Sequence, residues 1–214
     1  MEFFIAWLIL ASVHLAATMS PGPAFAVAVR NSLAYGRRAG ILTAIGLGLG
    51  LTGHVVLTLC GIAVVISQSV FLFNLIKYAG AAYLIYMGVK ALMARKTIEG
   101  DDEKNPLDTK PKNKAISDLK ALQIGFLTNM LNPKAVLFFT AIFSQFIAPE
   151  TPWPVLTLYG MTSVIIEAGW FSGLAIVLTN THVKARISGF VHWIERICGG
   201  LFIALGVRLA LSKI

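Results

Sequence analysis

The sequence predicts an all-α membrane protein: six transmembrane helices arranged as two inverted-topology three-helix repeats, with helices 1 and 4 broken at proline. Three observations carry this prediction. Of 214 residues, 57% are hydrophobic and only 13% charged, with a mean hydropathy of +0.76, which excludes an ordinary soluble domain. Six apolar runs reach the roughly 20 residues that a spanning helix needs. They lie near 3–20 (continuing past a break to about 35), 39–66, 70–93, 121–147, 154–180 and 193–211. Finally, only Pro21, Pro23 and Pro133 of the eight prolines fall inside membrane-length apolar sequence, at matching places in the two halves.

The first run starts with Glu2 rather than a basic region, and it leads into Ser20-Pro21-Gly22-Pro23 without a small-residue cleavage site. It is expected to stay as the first span rather than act as a signal peptide. Proline has no N–H and clashes with the carbonyl four residues back, so the span should break there. On the second span, Gly46, Gly50 and Gly53 form a small-residue face suited to close helix packing. After the third span, residues 95–120 are polar and charged and contain Pro106 and Pro111, which reads as a flexible linker. It divides the chain into a first repeat, 1–94, and a second, 121–214.

The fourth span carries the second break, Thr128-Asn129-Met130-Leu131-Asn132-Pro133-Lys134, and the fifth carries Glu167. The sixth closes the likeness between the halves. Ser20-Pro21 aligns with Asn132-Pro133, and Gly88-Val89-Lys90 with Gly206-Val207-Arg208. Three spans per half make the second half enter the membrane from the opposite side. Such an inverted repeat places its binding site near the midplane, and alternating access follows from exchanging the two halves' conformations.

The net charge of +8 is a topology signal rather than a nucleic-acid footprint. Orientation follows the distribution of Lys and Arg. The linker holds Arg95, Lys96, Lys104, Lys110, Lys112, Lys114 and Lys120 and should be cytoplasmic. Arg30, Arg37, Arg38, Lys90, Lys184, Arg186 and Arg196 then fall on the same side, against Lys77, Arg208 and Lys213 opposite. Both termini should lie outside the cytoplasm. Cys60 and Cys198 sit in apolar segments without pairing or metal-ligand spacing and read as free core thiols.

Lys134 is the sharpest single residue. A lysine near mid-depth costs on the order of 3 kcal/mol on insertion scales, so it needs a partner or a water-filled cavity. Just after a helix break it sits beside free N–H groups and the positive end of the half-helix dipole, a place that suits an anion such as a carboxylate. The alternative is that it snorkels or pairs with a protein acid. Glu167 would bind an ammonium, exchange a proton or neutralise Lys134. His54 aligns with Glu167; it would couple transport to protons or hydrogen-bond a neighbouring helix. His14 and Thr18, one turn apart before the first break, should face the cavity. Ser20, Asn129 and Asn132 would cap the broken helices, bind substrate, or do both. Arg30 reads as an interfacial anchor. No nucleotide loop, metal cluster or nucleophile–base pair appears, so neither an enzyme nor a cofactor is expected.

At these residues the chain resembles the lysine exporter and threonine/homoserine resistance (LysE/RhtB) superfamily of amino-acid exporters. The most specific matches are Ser20-Pro21-Gly22-Pro23, the run Lys77-Tyr78-Ala79-Gly80-Ala81-Ala82-Tyr83-Leu84-Ile85-Tyr86-Met87-Gly88, and Leu131-Asn132-Pro133-Lys134-Ala135. His14, Phe143-Ser144-Gln145-Phe146 and Glu167 near Trp170-Phe171 look most like the threonine-exporting branch. Many relatives have Leu-Pro-Gln-Phe in place of Phe-Ser-Gln-Phe, and often an acid in place of His54. The resemblance implies proton-driven efflux of small amino acids across a bacterial inner membrane. Its partners would be the amino acid, protons and the lipid bilayer, without nucleic acid; a homo-oligomer is compatible with the sequence.

The expected substrate site therefore comprises Thr18, Ser20, Pro21, Gly22, Pro23, Asn129, Asn132, Pro133 and Lys134. The carboxylate is placed on Lys134 and the half-helix N-termini, and the ammonium on carbonyls freed near Thr18 and Met130. Glu167, His54 and His14 are the proton-coupling candidates. The rival readings are a passive pore, a broken-helix protein handling thiols or metals, and a non-transporting membrane protein.

Overall fold

The computed structural model describes residues 2–68, 70–93, 115–146, 151–180 and 184–211. Residues 95–114 of the linker, Glu150 and Lys213 lie outside the described residues, as do the side chains of Glu2, Cys60, Ser144, Gln145, Phe146, Lys184 and Arg186. The described residues form eight helices and no strands: α1 (Glu2–Met19), α2 (Pro23–Tyr35), α3 (Arg37–Gln68), α4 (Val70–Met93), α5 (Asp118–Met130), α6 (Pro133–Phe146), α7 (Trp153–Leu178) and α8 (Lys184–Leu211). Each predicted span falls on helix. The first is the pair α1–α2, bent by 59°, and the fourth is the pair α5–α6, bent by 55°. Within α3, Arg37–Thr58 is long and apolar enough to cross a membrane, and so is Trp153–Leu178; each bent pair passes the same test as one span. The protein is thus all-helical and has the character of a multi-pass membrane protein.

Both helix restarts are set by proline at the first helical position, where a missing N–H is harmless. Gly36 turns α2 into α3 with φ +87°, a left-handed conformation that glycine adopts freely. α5 begins three residues inside the stretch read as linker, because Ser117 caps it. The Ser117 Oγ accepts from the Lys120 N–H at 3.3 Å, and Asp118 places a negative charge at the positive helix end. Asp118 also takes a two-point ion pair from Arg38, at 3.0 and 2.6 Å. This exposed pair joins the start of α5 to the start of α3, and solvent screening keeps its contribution to stability small.

α3 packs against α5 and α7, and α4 against α8. The α3–α5 seam is as close as the glycine face predicts. A Cβ on Gly46 would collide with the Leu122 carbonyl oxygen, one on Gly50 with the Phe126 carbonyl oxygen, and one on Gly125 of α5 with the Thr43 carbonyl oxygen. Two apolar clusters result. The larger includes Ala17, Leu51, Ala135, Phe138 and Phe139, and the smaller includes Ala24, Phe25, Leu47 and Phe171. The polar cavity lies between them, with walls from both.

Candidate functional site

The site begins with what each proline removes. Pro21 has no N–H to give the Ala17 carbonyl, and Pro133 has none for Asn129. Each carbonyl keeps one backbone donor, the Ser20 N–H on Ala17 at 3.3 Å and the Asn132 N–H on Asn129 at 3.0 Å, and has a second lone pair to offer. A basic side chain from a distant part of the chain meets each of them. Lys134 Nζ donates to the Ala17 oxygen at 3.1 Å and to the Ser20 oxygen at 3.0 Å. His54 Nε2 donates to the Asn129 oxygen at 2.8 Å. The two breaks are therefore closed in the same chemical manner.

The carbonyls near Thr18 that the sequence assigns to a substrate ammonium are occupied here by the Lys134 ammonium. Lys134 does not pair with an acid: among the described residues no carboxylate lies within salt-bridge distance of it. Of the three residues expected to cap broken helices, Asn132 does so, its Oδ1 accepting the Lys134 N–H at 3.1 Å. Ser20 offers its backbone carbonyl, and the cap position of α2 is Gly22, which makes no side-chain bond.

Glu167 is the second pole. Its Oε2 is 2.8 Å from Thr18 Oγ1 and 3.6 Å from His14 Nε2, and its Oε1 accepts from Asn129 Nδ2 at 3.1 Å. Asn129 Nδ2 also donates to the Leu47 carbonyl at 2.8 Å, so one amide ties α5 to α3 and to α7. Thr18 Oγ1 lies 2.9 Å from the His14 carbonyl as well, yet a hydroxyl has one proton to give. With Glu167 ionised, Thr18 donates to the carboxylate. With Glu167 protonated, the acid donates to Thr18, which then donates to the His14 carbonyl. The hydroxyl serves both protonation states by rotating.

His14 is less suited to carry a proton. Its Nε2 must hold hydrogen to donate to the Ser163 carbonyl at 3.0 Å, and Nδ1 is buried without a partner beside Phe138 and Phe139. A proton on Nδ1 would leave a buried donor unmet, at a cost of about 1–3 kcal/mol.

A cavity of about 40 Å³ collects most of these groups: His14, Thr18, Ser20, Gly22, Asn129, Asn132, Lys134 and Glu167 line it, walled by Phe25, Phe138, Phe139 and Phe171. Pro21, Pro23 and Pro133 do not line it and act through the backbone they interrupt. His54 stands outside the lining, on the far side of the Asn129 carbonyl. Arg30 is exposed and reaches only its neighbour Asn31, as an anchor would. Cys198 is a buried cysteine whose thiol donates to the Ala16 carbonyl at 3.1 Å. The aromatic walls escaped the sequence reading because apolar helices rich in Phe give no sign of which rings face inward.

Replacing Asn129 by alanine removes the donor shared by Leu47 and Glu167. We expect the melting temperature of the purified protein to fall by the equivalent of about 1–3 kcal/mol. An unchanged melting curve would mean that the amide does not hold α5 in place.

Helices of membrane length, two of them broken around a part-buried cation and a buried acid, define a multi-pass membrane protein built around an internal polar site. The chain belongs to the LysE type translocator family, whose profile matches residues 15–213. It is 33% identical to a membrane protein of Bacillus subtilis, YrhP, covering 95% of this chain and 99% of that one. It is 26% identical to the threonine efflux protein of Escherichia coli K12, over 97% and 98% of the two chains. It is 27% identical to a homoserine/homoserine lactone efflux protein of Salmonella typhimurium, over 99% and 98%. No solved structure matches it.

Proposed function

We propose that the protein is a secondary active exporter of small zwitterionic amino acids, threonine- or homoserine-like, working by proton antiport across a bacterial inner membrane. One observation carries the reading: a part-buried ammonium, Lys134, and a buried carboxyl, Glu167, share one small cavity between two proline-broken helices. Two unlike charges in one cavity match a molecule that carries both. The efflux names of the relatives point the same way. The six spans work as two inverted repeats, 1–94 and 121–214, joined by a cytoplasmic linker, with both termini on the outer side. Support comes from the similar bends of 59° and 55°, and from the matching treatment of the two proline-freed carbonyls.

In this mechanism the substrate carboxylate meets Lys134 and the N–H groups that open α6. Glu167 carries the counter-moving proton. When it is protonated, Thr18 turns to the His14 carbonyl; when it is ionised, Thr18 and Asn129 both donate to it. The test is transport in proteoliposomes. Labelled threonine or homoserine should move against its gradient when a pH gradient is imposed, with saturation and counterflow. Conduction without either would replace the carrier with a passive pore, and no movement of any small amino acid would remove the reading.

A further inference from the structure

We propose that the carbonyl oxygens of Ala17 and Ser20 form a primary-ammonium site that Lys134 fills while no substrate is bound. The ammonium of an arriving zwitterion displaces Lys134, which then pairs with the carboxylate of the same molecule. The identity of the zwitterion rests on the exporter reading above; the cation site itself does not.

Lys134 is the second residue of α6, at the positive end of that half-helix, where a cation is disfavoured. Its side chain crosses to the opposite kind of helix end, the last carbonyls of α1, at 3.1 and 3.0 Å. Pro21 leaves the Ala17 oxygen without its usual donor, so that beside a long bond from the Ser20 N–H at 3.3 Å it has a lone pair to offer, and α2 restarts only at Pro23, beyond the reach of Ser20. The two oxygens, at the negative end of a half-helix, are an acceptor pair built for a cation. Gly22 flanks the lysine stem, where even a Cβ would lie 3.4 Å from Cδ and 3.6 Å from Nζ. The lysine can leave without a steric barrier there.

Space makes the exchange necessary. A cavity of about 40 Å³ holds about three or four waters, at roughly 10–15 Å³ each, so an amino acid needs the place the seated lysine takes. Charge makes the exchange selective. When a zwitterion enters, one cation replaces another on the carbonyls and the freed lysine gains an anion, so no buried charge is left unpaired. An amine alone would strand Lys134. A carboxylate alone would strip the carbonyls. Either outcome leaves a buried group uncompensated.

The test uses the full chain in lipid nanodiscs, read by ligand-dependent melting. For the unsubstituted protein, threonine should raise the melting temperature saturably, while 1-aminopropan-2-ol and 3-hydroxybutyrate should bind at least about tenfold more weakly. Lys134→Met keeps the stem and removes the charge. That variant should gain saturable stabilisation by 1-aminopropan-2-ol and ethylammonium and should bind threonine no better than the amino alcohol. Sodium and potassium titrations separate an ammonium site from a general cation site; stabilisation by either as strong as by ethylammonium overturns the assignment. So does an unsubstituted protein that binds the amino alcohol as tightly as threonine, or a Lys134→Met variant with full threonine affinity. If Lys134→Met does not fold, the comparison of the three ligands on the unsubstituted protein decides. If the unsubstituted protein binds no amino acid, the exporter reading fails, while the amine titration of Lys134→Met still judges the cation site.

Discussion

Glu167→Gln is expected to abolish uphill export while leaving downhill exchange of substrate. Glutamine keeps the shape and accepts from Asn129 as the acid does, but it neither takes nor releases a proton. A pH difference of one unit is worth about 1.4 kcal/mol, so one proton per substrate supports up to about a tenfold concentration ratio. In the variant that ratio should collapse to one, with counterflow of labelled threonine retained. His54→Gln provides the contrast. His54 lies outside the cavity lining and adds a second donor to the Asn129 carbonyl, which also accepts from the Asn132 N–H. A glutamine amide is a donor too, so His54→Gln should keep proton-driven accumulation. Accumulation by Glu167→Gln at the original ratio, or its loss in His54→Gln, would reverse the two assignments.

The sequence reading located the breaks, the part-buried cation and the buried acid because each is a local violation of a rule. Proline inside an apolar run and a charge near mid-depth both stand out without tertiary information. What Lys134 touches was not legible. Which carbonyls lose their usual donor follows from proline by counting back four, but the side chain that reaches each is fixed by how distant helices approach. Lys134 and Ala17 are 117 residues apart, and His54 and Asn129 are 75 apart. The alignment of His54 with Glu167 is silent about chemistry. One residue faces a proline-freed carbonyl, and the other a hydroxyl and an amide. The linker's end was misread by three residues for a simpler reason, since a charged first turn after Ser117 looks like more linker until its cap is seen.

The other large effect is on folding, at Gly125. A side chain there would enter the Thr43 carbonyl oxygen and crowd the Leu47 nitrogen, both main-chain atoms of α3 that cannot swing away. The seam would have to open, and it carries more than apolar contact. Thr43 Oγ1 lies 3.3 Å from the Ala121 carbonyl of α5, and Asn129 reaches the Leu47 carbonyl across the same seam at 2.8 Å. His54 crosses it to the Asn129 carbonyl. Gly125→Val should therefore lose at least about 3 kcal/mol, the upper end of the usual penalty for overpacking, and yield little monodisperse protein in size-exclusion chromatography. Gly169→Ala is the matched control, since a Cβ there meets nothing within 4 Å, and it should elute and melt as the unsubstituted protein does. If Gly125→Val folds with an unchanged melting temperature, the α3–α5 seam is not the tight interface that holds Asn129 in register against Glu167 of α7.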